Sequence, residues 1–273
     1  MFPIDFNTYD HNFCESTIYS TGQHPEYANS ISSLIISWFG YKGLTNPYIN
    51  FSTMMLYSSL LINGITSCAY HYYNTIGWGL LDRMSMVLIA ISTTYIFLQH
   101  IELFFPTDKH NFSNKNQKII HIVVMTYFTL LLTICGLHWE NIFNGFFGLF
   151  LFSLVIYMCL IERNNFRLEI PDKIVKQGWK GVLYILASCI FWIVTEIGCN
   201  YITVFKYVFG HVWWHVFISY GGYLISLIPV YLDMGKICNT KCEINEDKAD
   251  YDNNNGEDYN NNVEDCEEFE KIE

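Results

Sequence analysis

His211 and His215 stand four residues apart in "FGHVWWHVFISYGGYL", residues 209–224, at the head of a segment otherwise apolar enough to lie in a membrane. Residues at that spacing share a helical face, so the two imidazoles point the same way. Two further stretches carry chemistry at comparable places. "GITSCAYHYY" sets Ser67 and His71 four apart, and "LLDRMSM" opens the next apolar run with Asp82. Ionisable groups at membrane depth are costly and are functional candidates by default. Three neutral imidazoles can hold Zn²⁺ and leave its fourth position open for water, the coordination of a catalytic rather than a structural zinc site. The His-x-x-x-His spacing alone is a weak signal, because it also fits an interfacial hydrogen-bonding pair. Adding His71, Ser67 and Asp82 at matched depth turns it into the expectation of a metal site.

The elements that must position these residues are membrane helices. The chain has 273 residues, 51% hydrophobic, 18% aromatic and 15% charged, which excludes an ordinary soluble domain. Apolar runs long enough to cross about 30 Å of hydrocarbon recur near 28–46, 51–72, 80–99, 119–137, 141–161, 179–199 and 212–233. The first is the weakest, interrupted by Gly40 and Lys42 and followed by Pro47. The expected fold is all-α and polytopic, with seven transmembrane helices. Loop lysines and arginines gather on one side: Lys42, then Lys109, Lys115 and Lys118, then Arg163, Arg167, Lys173, Lys176 and Lys180, then Lys236. Lys206 and Arg83 face the other side. The positive-inside rule therefore puts the N-terminus in the lumen or outside the cell and the C-terminus in the cytosol. In that orientation Ser67, His71, Asp82, His211 and His215 share the outer side.

Three regions follow: a lumenal N-terminal segment 1–27 without Lys, Arg or a signal-peptide core, a membrane domain 28–235, and an acidic tail 236–273. The tail carries −9 of the net charge of −11 and is rich in Asn, so it is expected to be disordered. The bilayer is the expected partner; no nucleic acid and no protein partner is expected.

The runs "NFCEST", "HPEYANSISS", "GITSCAYH", "LLDRMSM" and "HVWWHVF", in this order over about residues 10–235, resemble those of the alkaline ceramidases. These belong to a wider superfamily of seven-helix metal-dependent lipid hydrolases that also contains the adiponectin-type receptors. The resemblance implies zinc on His71, His211 and His215, Asp82 orienting the attacking water, and Ser67 near the reacting carbonyl. It implies hydrolysis of the N-acyl amide of ceramide to a sphingoid base and a fatty acid, in the endoplasmic reticulum or Golgi membrane. It further implies a Ca²⁺ site on the N-terminal segment through Asn12, Phe13, Glu15, Thr17 and Glu26, and a disulfide between Cys14 and Cys199. Asn12 and Thr17 stand where the family usually has carboxylate or amide ligands, which should lower calcium affinity. Arg83 and Thr195 stand where acids are common, which bears on head-group preference. The alternatives are a receptor-like member of the superfamily, a lipid-remodelling acyl esterase, and a non-enzymatic membrane protein.

The remaining signals read as structural. Cys68, Cys135, Cys159 and Cys189 lie in apolar runs and are expected to pack. Cys238 and Cys242 read as an inert cytosolic pair. His11, His24, His138 and Glu140 read as solvated residues at the outer mouth, and Trp213 with Trp214 as an interfacial anchor. The glycosylation patterns at Asn50 and Asn111 fall on the cytosolic side and are expected to be unmodified.

Overall fold

The computed structural model describes residues 4–10, 13–18, 25–100, 126, 129–130, 133–134 and 140–252. The described residues form six α-helices and no strands: α1 Tyr27–Leu44, α2 Phe51–Tyr73, α3 Ile76–Gln99, α4 Glu140–Leu168, α5 Asp172–Gly198 and α6 Gly210–Asp252. They coincide with six of the seven expected runs. The run 119–137 lies outside the described residues apart from isolated positions, as do Asn12, His11, His24, His138, Lys109, Lys115, Lys118 and Asn111, and the side chains of Glu140, Cys238 and Cys242. Among the described residues four helices are long and apolar enough to cross a bilayer: α3, Ile142–Phe166 of α4, α5, and Gly210–Met234 of α6.

The helices α1 and α2 fall short of that standard because their polar residues are turned inward. On α1 the buried set is Asn29, Ser30, Ser32, Ser33 and Ser37, while Ile31 is 69% and Trp38 59% exposed. On α2, Ser59, Asn63, Ser67 and His71 are buried and Ile65 faces outward. Such an inside-out distribution is stable where the exterior is hydrocarbon, and the molecule is an integral membrane protein. Small residues let these polar faces meet. A Cβ on Gly64 of α2 would collide with the Ser37 nitrogen of α1, and one on Gly181 of α5 with the Gly221 carbonyl of α6. Backbones at that distance pack closely without a hydrophobic driving force.

Two links set the depth of the site. Asn50 caps α2 by accepting from the Thr53 N–H at 2.9 Å, and Thr53 Oγ1 accepts from the Asn50 N–H at 3.0 Å. At the other end Asn74 takes the left-handed conformation, φ 49°, and α3 starts two residues later. Ser67 lies six residues before the end of α2 and Asp82 six after the start of α3. Both therefore sit about 9 Å below the hairpin. Asn50 also donates to Asp233 at 2.6 Å, so its amide is engaged within the protein.

α6 runs past residue 236 to Asp252, within the segment expected to be disordered. Between Gly235 and Gly256 the sequence holds no Gly or Pro, and it is supplied with Lys, Glu and Ala, which favour helix.

Candidate metal centre and cavity

His71 of α2 and His211 and His215 of α6 come together, each buried, with one nitrogen of each within 4.8 Å of the others. The ring centroids are 4.7 Å apart for His71 and His211, 5.2 Å for His71 and His215, and 4.7 Å for His211 and His215. Among the described residues no other group of three His, Cys, Asp or Glu side chains is placed to hold a metal.

The outer nitrogens of His71 and His215 each meet an oxygen. His71 Nδ1 lies 2.7 Å from Glu26 Oε2, and His215 Nδ1 lies 2.8 Å from Ser32 Oγ. Ser32 donates its single hydroxyl proton to the Asn29 carbonyl at 3.0 Å, so it accepts from His215 Nδ1–H. With Nδ1 engaged, the ligand atom these two rings offer is Nε2. The buried His211 Nδ1 makes no hydrogen bond, with Glu196 Oε1 the nearby acid at 3.5 Å. Three neutral imidazoles so oriented fit a cation that accepts nitrogen donors, and zinc is the common one.

Asp82 of α3 and Ser67 of α2 line the same cavity as the three histidines. Asp82 Oδ1 accepts from Asn63 Nδ2 at 3.0 Å, and the Ser67 hydroxyl is within hydrogen-bonding reach of the same carboxylate. Ser67 Oγ is also 3.1 Å from Ser33 Oγ, whose proton goes to the Asn29 carbonyl. Phe13 covers the rings, its centroid 5.0 Å from His71 and 4.7 Å from His211.

The N-terminal segment holds the outer end together. Glu15 accepts from the Ala28 and Asn29 N–H groups, both at 2.8 Å, and so caps α1, whose own Glu26 makes no side-chain cap. Burial raises the Glu15 carboxyl above its ordinary range despite those two donors. Glu26 accepts from the Phe13 N–H at 3.0 Å and from Asn29 Nδ2 at 3.1 Å, and burial pushes its carboxyl up to about 7 against the pull of these partners and of His211. Thr17 Oγ1 donates to the Cys14 carbonyl at 2.7 Å, and the Phe13 carbonyl accepts from Ser16. Each described oxygen of the calcium set is thus engaged by protein groups. Cys14 and Cys199 lie side by side and buried, and burial with the neighbouring Cys199 raises the Cys14 thiol well above its ordinary range.

Beneath the histidines lies a cavity of about 810 Å³, lined on its polar head by Ser67, His71, Asp82, His211 and His215 and otherwise mostly by apolar side chains of α2 to α6. Arg83 lines it on α3. Thr195 does not, being packed against Gly210, where an added Cβ would meet it.

Sequence reasoning missed the residues that hold the site in place: Ser32, Ser33, Asn63 and Glu196. Glu26, expected at calcium, stands with Oε2 2.7 Å from His71 Nδ1. The available signal was an acid and a serine pair in "HPEYANSISS", polar groups in an apolar run.

The fold and the site together define an integral membrane protein with a three-histidine cluster able to hold a metal ion, set over a cavity suited to a lipid. The chain matches the ceramidase family over residues 6–253, most of its length, and belongs to that family, whose name denotes hydrolysis of ceramide. A comparison with curated proteins finds no match.

Proposed function

We propose that the chain is a zinc-dependent amidohydrolase of the alkaline ceramidase type, cleaving the N-acyl amide of ceramide to a sphingoid base and a fatty acid. The observation that carries this reading is the juxtaposition of three buried imidazoles, one carboxylate and one hydroxyl at the head of a mostly apolar cavity. His71, His211 and His215 would hold the zinc, which when bound supplies Lewis acidity toward a carbonyl and activates water near neutral pH. Asp82 accepts a proton from the attacking water as the new carbon–oxygen bond forms. Breaking the carbon–nitrogen bond then returns that proton to the leaving amine. Ser67 Oγ–H turns from Asp82 to the carbonyl oxygen as charge develops there. Phe13 keeps bulk water off the rings. Calcium enters this reading through the motif resemblance alone, and no step is routed through it.

The experiment is fatty-acid release by purified protein from an N-acyl sphingoid base and from an acyl ester matched in chain length. Cleavage of the amide in preference to the ester is expected. Ester cleavage alone, or zinc retained without any cleavage, overturns the reading in favour of an esterase or a receptor-like protein.

The same reading has seven spans, the N-terminus in the lumen of the endoplasmic reticulum or Golgi, and Cys14 bridged to Cys199 in that oxidising compartment. On sealed microsomes, added protease is expected to remove an epitope at Glu273 and spare one at Met1. Non-reducing peptide maps of the same membranes are expected to show Cys14 linked to Cys199. The reverse protection, or two free thiols, contradicts this arrangement.

A further inference from the structure

Among the described residues, the lining side chains farthest along their helices from the histidines are Leu56 on α2, Phe97 on α3, Tyr157 on α4 and Pro229 on α6. Phe97 and Tyr157 meet edge to face with centroids 5.9 Å apart, and Tyr157 is buried. Below them the helix ends are tied by a polar cluster: His100 Nε2 is 3.2 Å from Asp233 Oδ1, and Asn50 Nδ2 donates to Asp233 Oδ2 at 2.6 Å. A hydrocarbon chain entering that layer would strip these groups of their partners, so it stops above them.

The depth of the shaft can be read along α3. From Asp82 to Phe97 the helix rises by about 22 Å at about 1.5 Å per residue. An extended alkyl chain with carbon–carbon bonds of about 1.5 Å and tetrahedral angles advances about 1.25 Å per carbon, so roughly 18 carbons fill it. Partway down, Gly222 of α6 lines the cavity, and a Cβ added there would have no atom within 4 Å. Its position, seven residues below His215, corresponds to about 10 Å of depth, or roughly 8 carbons. Gly148 of α4 also lines the cavity with no atom within 4 Å of an added Cβ, whereas Gly64, Gly181 and Gly221 abut a neighbouring helix backbone.

We propose that Gly222 and the Phe97–Tyr157 pair set substrate chain length, Gly222 by keeping the shaft open past its midpoint and the aromatic pair by closing it at about 18 carbons. The proposal rests on the ceramide-hydrolase reading and assigns the shaft to the N-acyl chain. That chain is hydrocarbon from the carbon next to the reacting carbonyl. The sphingoid side carries hydroxyls close to the reacting nitrogen, which suit the polar head of the cavity better than its walls.

The test uses the full-length protein in detergent, with ceramides of one sphingoid base and acyl chains of 6 to 24 carbons, and a second series with one acyl chain and varied bases. Wild type is expected to raise kcat/KM with acyl length up to about 18 carbons and to lose efficiency at 24. In Gly222→Phe the ratio of kcat/KM for 18-carbon over 8-carbon acyl chains is expected to fall by about 100-fold or more, because each methylene denied burial is felt. In Tyr157→Ala the optimum is expected to move to longer chains. Native mass spectrometry of lipid retained by each protein gives a readout independent of cleavage: Gly222→Phe is expected to lose 18-carbon ceramide while keeping the short one. An equal loss at all acyl lengths, an unchanged ratio, or a shift that follows the base instead overturns the proposal. Wild type that retains long-chain ceramide with the expected dependence but cleaves none overturns the hydrolase reading and leaves the ruler standing.

Discussion

His215→Ala is expected to lose zinc and ceramide hydrolysis together. His215 is buried on α6, one turn below His211, with its Nδ1 fixed by Ser32 at 2.8 Å. Its removal leaves two imidazoles, and no other His, Cys, Asp or Glu among the described residues joins them to make a third ligand. Glu26 provides the comparison. It touches the ring of His71 rather than the metal position, so Glu26→Gln is expected to weaken zinc binding by about 10–100-fold, and His215→Ala by more than that range. Metal analysis by inductively coupled plasma mass spectrometry, paired with a melting curve, separates loss of the ion from loss of the fold. A His215→Ala protein that keeps one zinc and wild-type turnover would remove this histidine from the centre.

Asp82→Asn is expected to part the two properties that His215→Ala loses jointly. The amide has the shape of the carboxylate, its oxygen can still accept from Asn63, and its NH₂ can face Ser67. None of the three histidines is disturbed. Zinc should stay near one equivalent while kcat falls by roughly 10²–10⁴-fold, the range for a general acid–base group. The KM for ceramide should change little, because the cavity walls that hold the chain are untouched. Near-normal kcat in Asp82→Asn would take the proton-transfer role from this residue.

The residues that could be recognised in the sequence are those whose partners are close in the chain. Ser67 with His71, and His211 with His215, show themselves by helical spacing, and Asp82 joins them because a two-residue link makes α2 and α3 a tight hairpin. The residues that orient the histidines were hidden for the opposite reason. Ser32 reaches His215 across 183 positions, and Glu196 reaches both the Cys14 N–H and the neighbourhood of His211. Such pairings leave no period in the sequence. The first helix is a related case. Averaged hydropathy undervalues it because its serines and Asn29 face the site while Ile31, Leu34 and Trp38 face lipid. The chain-length determinants were invisible for a simpler reason: that Gly222 faces open space is a property of the packed helices and not of the residue.

The central claim is that His71, His211 and His215 hold a zinc ion, and zinc-edge X-ray absorption on the purified wild-type protein tests it most directly. About one zinc per chain is expected, with three imidazole nitrogens at roughly 2.0–2.1 Å and a further light oxygen or nitrogen neighbour. In His215→Ala the zinc signal should fall away. Protein purified without chelators that holds no zinc, or holds it through sulfur at roughly 2.3 Å, would contradict the account.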